Sequence, residues 1–107
     1  MLGNAFQPAT LGQTTISVGA TSSFTTVPGN GDVLMLFNAG ASGLLIFIES
    51  CGGSNGITAA TVAGSFCIPP LAAYPVMIAR HPGDTGISAI ASAAGPTNLY
   101  VSVGVAT

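Results

Sequence analysis

With 107 residues, 4% of them charged and 49% hydrophobic, at a mean hydropathy of +0.70, the chain reads as one domain. Its solubility rests on Ser, Thr, Gly and Asn instead of the roughly 25% of charged residues usual in soluble domains. The charges are Asp32, Glu49, Arg80 and Asp84, for a formal net charge of −2, and a single cation excludes the basic patch through which proteins neutralise phosphates. No nucleic-acid partner is expected.

Nor is a membrane. Apolar runs such as Val33 to Phe37 and Leu44 to Ile48 fall far below the ~20 residues of a spanning helix. The opening "MLGNAFQPATLGQTT" carries neither a basic region nor a continuous apolar one. It predicts no secretory signal and folding in a cytosol.

In chain order, residues 1–12 hold Leu2, Phe6, Pro8 and Leu11 among Gly, Asn, Gln and Ala without a period. They read as an N-terminal arm whose Phe6, Pro8 and Leu11 dock on a partner, ahead of a β-sandwich domain over 13–107. From there turn signals recur at Gly19-Ala20, Pro28 to Gly31, Ala39 to Gly43, Gly52 to Gly56, Pro69-Pro70, Pro82-Gly83 and Gly95-Pro96. The runs between them are rich in Val, Ile, Thr, Phe and Tyr, and none sustains a helical period. Strands are expected near 13–19, 22–28, 32–38, 44–50, 57–62, 74–80, 86–92 and 97–105. Their number and spacing predict an all-β fold, a single antiparallel β-sandwich of about eight strands with Greek-key or jelly-roll connections.

The end strands alternate cleanly, Ile16 and Val18 against Thr15 and Ser17, and Leu99, Val101 and Val103 against Tyr100 and Ser102. The stretch "GDVLMLFNAGASGLLIFIES" does not. It reads as a hairpin with two apolar faces, which antiparallel sheets show where something else packs outside. A neighbouring subunit is the economical cover, so Leu34 and Leu36 join Phe6, Pro8 and Leu11 as expected partner contacts. Phe24, Phe37, Phe47, Phe66 and Tyr100 fall at strand spacing and suit the core. Tyr74-Pro75 predicts a rigid approach to an edge strand. "CGGSNGITAATVAGS", the longest region without bulky side chains, is a candidate interaction loop.

No motif assembles a catalytic, cofactor or metal site. Asp84-Thr85-Gly86 matches the triplet of aspartic proteases, whose dimers share one proton between two aspartates. Here the triplet follows Pro82-Gly83 and sits late in the chain, so a turn aspartate accepting backbone N–H groups is the better reading. A Cys51 and His81 nucleophilic pair lacks an orienting group. Asp32, Glu49 and Asp84 read as surface or turn carboxylates rather than a glycosidase pair. Cys51 and Cys67, sixteen positions apart, fit neither a zinc nor a redox motif and read as free thiols, with a disulfide as the alternative.

The order "TTISVGATSSFTTVPGNGDVLMLFNAGASGLLIFIES", "IPPLAAYPVMIAR", "GISAIASAAGPTNLYVSVG" resembles small virion proteins of tailed bacteriophages. The correspondence spans 14–105. It rests on the Pro-Gly and Gly-Asp turn, the step Phe37-Asn38-Ala39-Gly40, the strand Ile87 to Ile90, and Leu99-Tyr100 followed by Gly104. The resemblance implies a β-sandwich that decorates or cements a capsid, binding the major capsid protein and sister copies as a homo-oligomer, with a trimer favoured. It implies a place on the virion surface and no active site. The alternatives are another virion or tail component that binds a host surface or carbohydrate, and a small dimeric hydrolase using Asp84.

Overall fold

The computed structural model describes residues 6–40, 44–70, 75–93 and 97–106. Eight strands occur among them: β1 (Phe6–Val18), β2 (Ser23–Thr26), β3 (Val33–Asn38), β4 (Ile46–Cys51), β5 (Phe66–Ile68), β6 (Val76–Ala79), β7 (Gly86–Ala91) and β8 (Thr97–Ala106). They form two antiparallel sheets in the orders β1-β8-β3-β6 and β2-β7-β4-β5, called here the first and second sheet. The pairs β1·β8, β2·β7, β3·β6 and β4·β5 are those of one long hairpin folded at β4–β5. Successive pairs alternate between the sheets, which rolls the hairpin into a jelly roll.

That winding revises the apparent hairpin of residues 31–50. β3 lies in the first sheet and β4 in the second, so the chain crosses the sandwich between them. Leu34 and Leu36, expected as partner contacts, are 1% and 0% exposed and belong to the core between the sheets. The alternation that the sequence shows is correct, but Val33, Met35 and Phe37 take the outer face and the two leucines the inner. There they meet Ile16, Val18, Leu99, Val101 and Val103 of their own sheet and Ile46, Ile48 and Ile87 of the other. Each such aliphatic side chain contributes about 1.5–3 kcal/mol on burial.

The expected arm is also revised. From Phe6 onward its described part is strand, with Phe6 opposite Ala106, Gln7 opposite Val105 and Pro8 opposite Gly104. Its period is hidden by a bulge between Pro8 and Gln13. Ala9 packs against the core and Gly12 is buried against Val103, so the four residues 9–12, set opposite Val103 alone, reset the alternation. Leu11, inside the bulge, takes a left-handed φ of 54°, at a cost of roughly 1–2 kcal/mol. Residues 1–5, Tyr74 and the Gly95-Pro96 turn lie outside the described residues.

Residues 57–62, expected as a strand, are irregular, and the strand lies instead at Phe66–Ile68. The segment between β4 and β5 spreads over the outer face of the second sheet. Ala60 N–H donates to Ser22 Oγ at 2.9 Å, Ser65 Oγ donates to Glu49 at 2.7 Å, and the Cys51 thiol donates to the Thr58 carbonyl at 3.6 Å. Phe47, Cys51 and Ala60 are buried although none belongs to the cluster between the sheets. Small residues let this backbone lie close. Its Val, Ile and Thr content mimicked a strand, but its N–H groups bond to side chains rather than to a neighbouring strand.

The crossing from β3 to β4 is organised by Asn38, which is 1% exposed. Its amide nitrogen donates to the carbonyls of Leu44 at 2.9 Å and Ile68 at 3.1 Å. Its carbonyl accepts from Gly40 N–H at 2.9 Å and Thr97 Oγ1 at 3.1 Å. One side chain thus ties together the end of β3, the approach to β4, the end of β5 and the start of β8. Gly40 is required here because a Cβ would collide with Thr97 Oγ1. Replacing Asn38 by Ala leaves these buried groups without partners, at about 1–3 kcal/mol for each group left unsatisfied. Urea unfolding of Asn38→Ala is expected to show a loss of about 3 kcal/mol with an unchanged slope.

Candidate functional site: the charged end and the apolar sheet face

The connections β2–β3, β4–β5 and β6–β7 converge at one end of the sandwich, and the ionisable groups Asp32, Arg80, His81 and Asp84 gather there. Pro82 and Gly83, with φ of 94° at the glycine, form a tight turn closed by Asp84 N–H donating to the His81 carbonyl at 3.1 Å. The turn brings the Asp84 carboxylate against the β4–β5 segment. Oδ1 accepts from Asn55 Nδ2 and Oδ2 from Ser50 Oγ, each at 2.7 Å, while Asn55 also donates to the Pro82 carbonyl at 3.0 Å. Neighbouring backbones interlock: a Cβ on Gly53 would strike the Gly83 carbonyl, and one on Gly86 would strike the Thr25 carbonyl. The glycine of the Asp-Thr-Gly triplet therefore serves the close approach of β7 to β2.

Burial works against the ionisation of Asp84 and is the largest single influence on it. The hydrogen bonds from Asn55 and Ser50, the nearby His81 imidazole and the His81 backbone together outweigh it and hold the carboxyl below its ordinary range. His81 Nδ1 stands 3.9 Å from Oδ2 and its side chain is 80% exposed, so solvent screens that pair. The Asp84 side chain itself is 2% exposed. Side-chain donors join the backbone N–H that the sequence assigned to this role, and the carboxylate faces inward.

The other candidates are similarly engaged. Arg80 N–H donates to the Asp32 carbonyl at 2.7 Å, and its guanidinium donates to the carbonyls of Val27 at 3.1 Å and Gly29 at 3.3 Å. The one guanidinium of the chain closes the β2–β3 connection. Cys51 and Cys67 are free, the first buried and the second exposed. Cys51 Sγ lies 3.5 Å from Ser88 Oγ, and the structure does not bring it together with His81. Among the described residues there is no cavity and no cluster of three His, Cys, Asp or Glu suited to a metal ion.

A different surface stands out on the first sheet. Val33, Met35 and Phe37 alternate with the buried leucines and point outward, half-buried by their neighbours. Met77 lies directly opposite Met35, and Ala79 opposite Val33, on the edge strand β6. On the other side Tyr100 is opposite Phe37 and Ser102 opposite Met35. Met77 is 42% exposed. The sequence signal for this face was the alternation in "VLMLF", and Met77 extends it through the edge position that Pro75 announces. Of the expected contacts, Pro8 and Leu11 are exposed and Phe6 is half-buried.

These features define the class: a jelly roll, eight-stranded among the described residues, with its polar groups locked into connections and an apolar strip on the outer face of one sheet. A comparison with protein families, curated proteins and solved structures gave no match.

Asp84 ionises more readily folded than unfolded, so its contribution is complete above the unfolded carboxyl value of about 3.9 and is lost as pH falls through the lower folded one. Asp84→Asn is expected to be less stable than the native chain by about 2 kcal/mol at neutral pH, with the gap constant down to about pH 5 and narrowing below pH 4. Denaturant titrations across that range measure it. Thiol labelling of the native protein is expected to modify Cys67 rapidly and Cys51 only on unfolding.

Proposed function

We propose that this chain is a structural protein of a tailed-phage virion, decorating or cementing the capsid by binding the major capsid protein and sister copies. The observation that carries the reading is the outer face of the first sheet, where Val33, Met35, Phe37 and Met77 present apolar surface without a charge among them. The second sheet covers its outer face around Phe47 and Cys51 with its own chain; the strip on the first is the surface a partner would take. The pattern of turns and alternating strands that resembles small phage virion proteins supports the same reading, and jelly rolls are common in capsid proteins, an analogy of fold rather than of site.

Such a subunit works without chemistry. Covering apolar surface contributes about 25 cal/mol for each Å², and repetition over a capsid turns modest contacts into high avidity. A ligand that prefers the assembled shell stabilises it by mass action. Scarce charge then costs little solubility, since the protein spends its working life in a lattice.

Co-sedimentation of the purified protein with phage heads that lack it tests the reading. Saturable binding at a fixed ratio to the major capsid protein, with a raised melting temperature of the heads, is the expected result. Absence of binding by a folded, stable protein overturns it and redirects the test to host cells and their surface carbohydrates.

A further inference from the structure

Leu11 carries two costs at once. It is the only non-glycine residue with positive φ among the described residues, and at 92% exposure it is the most exposed of the large apolar side chains. A left-handed leucine in water is doubly unfavourable, and strain of this kind persists where it serves a purpose. Nothing among the described residues repays it: the bulge is anchored by Ala9 and Gly12, which turn inward, and Leu11 is left projecting. The bulge and Pro8, which has no N–H, also prevent this stretch of the edge strand from accepting another strand. What remains to offer is the side chain.

The register shows what it fits. Pro8 is level with Gly104, which is level with Val33 and then Ala79; Gln13 is level with Ser102, then Met35 and then Met77. The bulge and the apolar pad of Met35, Met77, Val33 and Ala79 therefore lie at the same height along the strands, on opposite edges of one sheet. Moving a copy of the molecule sideways across its own first sheet brings the knob of one beside the pad of the next. Methionines accommodate an entering leucine by changing rotamer. No ionisable side chain belongs to the knob or the pad, so no charge opposes a like partner or selects an unlike one; Asp32 precedes Val33 and Arg80 follows Ala79, and the Arg80 guanidinium is turned to the Val27 and Gly29 carbonyls.

We propose that this chain self-associates head to tail, Leu11 of one copy seating on the Met35 and Met77 face of a second copy. Each molecule gives a knob to one neighbour and receives one from another, a heterologous contact that closes into a ring if its rotation permits. The proposal deepens the sister-copy half of the virion reading. Its test contains no capsid, so its failure and the failure of capsid binding are separate results.

The test is size-exclusion chromatography with light scattering on the native protein, Leu11→Asp, Met77→Asp and their equimolar mixture, each variant first shown to unfold cooperatively. The native protein is expected above monomer mass and each variant, alone, to associate at least tenfold more weakly. Mixed, they are expected to form a one-to-one dimer, because Leu11→Asp keeps its pad and Met77→Asp keeps its knob. Leu11→Gly removes the knob while suiting the backbone, so it is expected to lose association without a lower melting temperature when dilute. A monomeric native protein, native mass in Leu11→Asp, or folded variants that fail to pair when mixed would each overturn the proposal.

Discussion

The four hydrogen bonds of Asn38 are the constraint on which the rest of the structure depends. A chain that leaves one sheet for another must turn its backbone through a region with no ladder to satisfy it. Asn38 supplies donors and acceptors to four segments at once. Because it holds the ends of β3 and β5 and the start of β8 in one place, it also fixes the relative height of the two sheets. The interdigitation of Leu34, Leu36 and Val101 with Ile46, Ile48 and Ile87 follows from that height.

Hiding four sheet faces with four charged residues poses a second problem, and each sheet meets it differently. The inner faces cover one another. The second sheet draws the β4–β5 segment across its back, with Ser22, Glu49 and Cys51 as attachment points, while at the end of the sandwich Asp84 pins the same segment through Asn55. Among the described residues the first sheet has no equivalent strap, and its back mixes polar positions on β1 and β8 with an apolar strip on β3 and β6. Polar chemistry in this protein is spent on holding connections, and apolar surface is left on the outer strip of β3 and β6.

The sequence carried the strand count, the alternation and most strand positions, because Gly and Pro punctuate the chain and β-branched residues fill the intervals. It did not carry which of two apolar faces turns inward at β3: Leu34 and Leu36 differ from Val33, Met35 and Phe37 in size and shape, not in polarity. Nor did it carry the sheet exchange between β3 and β4, since a seven-residue interval between two strands suits a hairpin as well as a crossing. The bulge at residues 9–12 hid a strand as an arm, and Ile57 to Val62 imitated a strand while serving as a cover. Asn38 was visible only as part of a short step; its role depends on Ile68 and Thr97, both remote in the chain. Asp84 was legible as a turn residue, but its donors Ser50 and Asn55 come from a segment that only the fold brings near.

The order of strands in the first sheet has a consequence for biogenesis. β8 sits between β1 and β3, so the strand translated after all the others described occupies the middle of its sheet. During synthesis β1 and β3 wait without the neighbour that joins them, and Phe6 meets its opposite, Ala106, only near the end. The second sheet has its local β4–β5 pair and its β7 partner earlier. Non-local pairing of this kind folds slowly and leaves strand edges open in the interim. The first sheet therefore closes only once β8 is available to join β1 and β3.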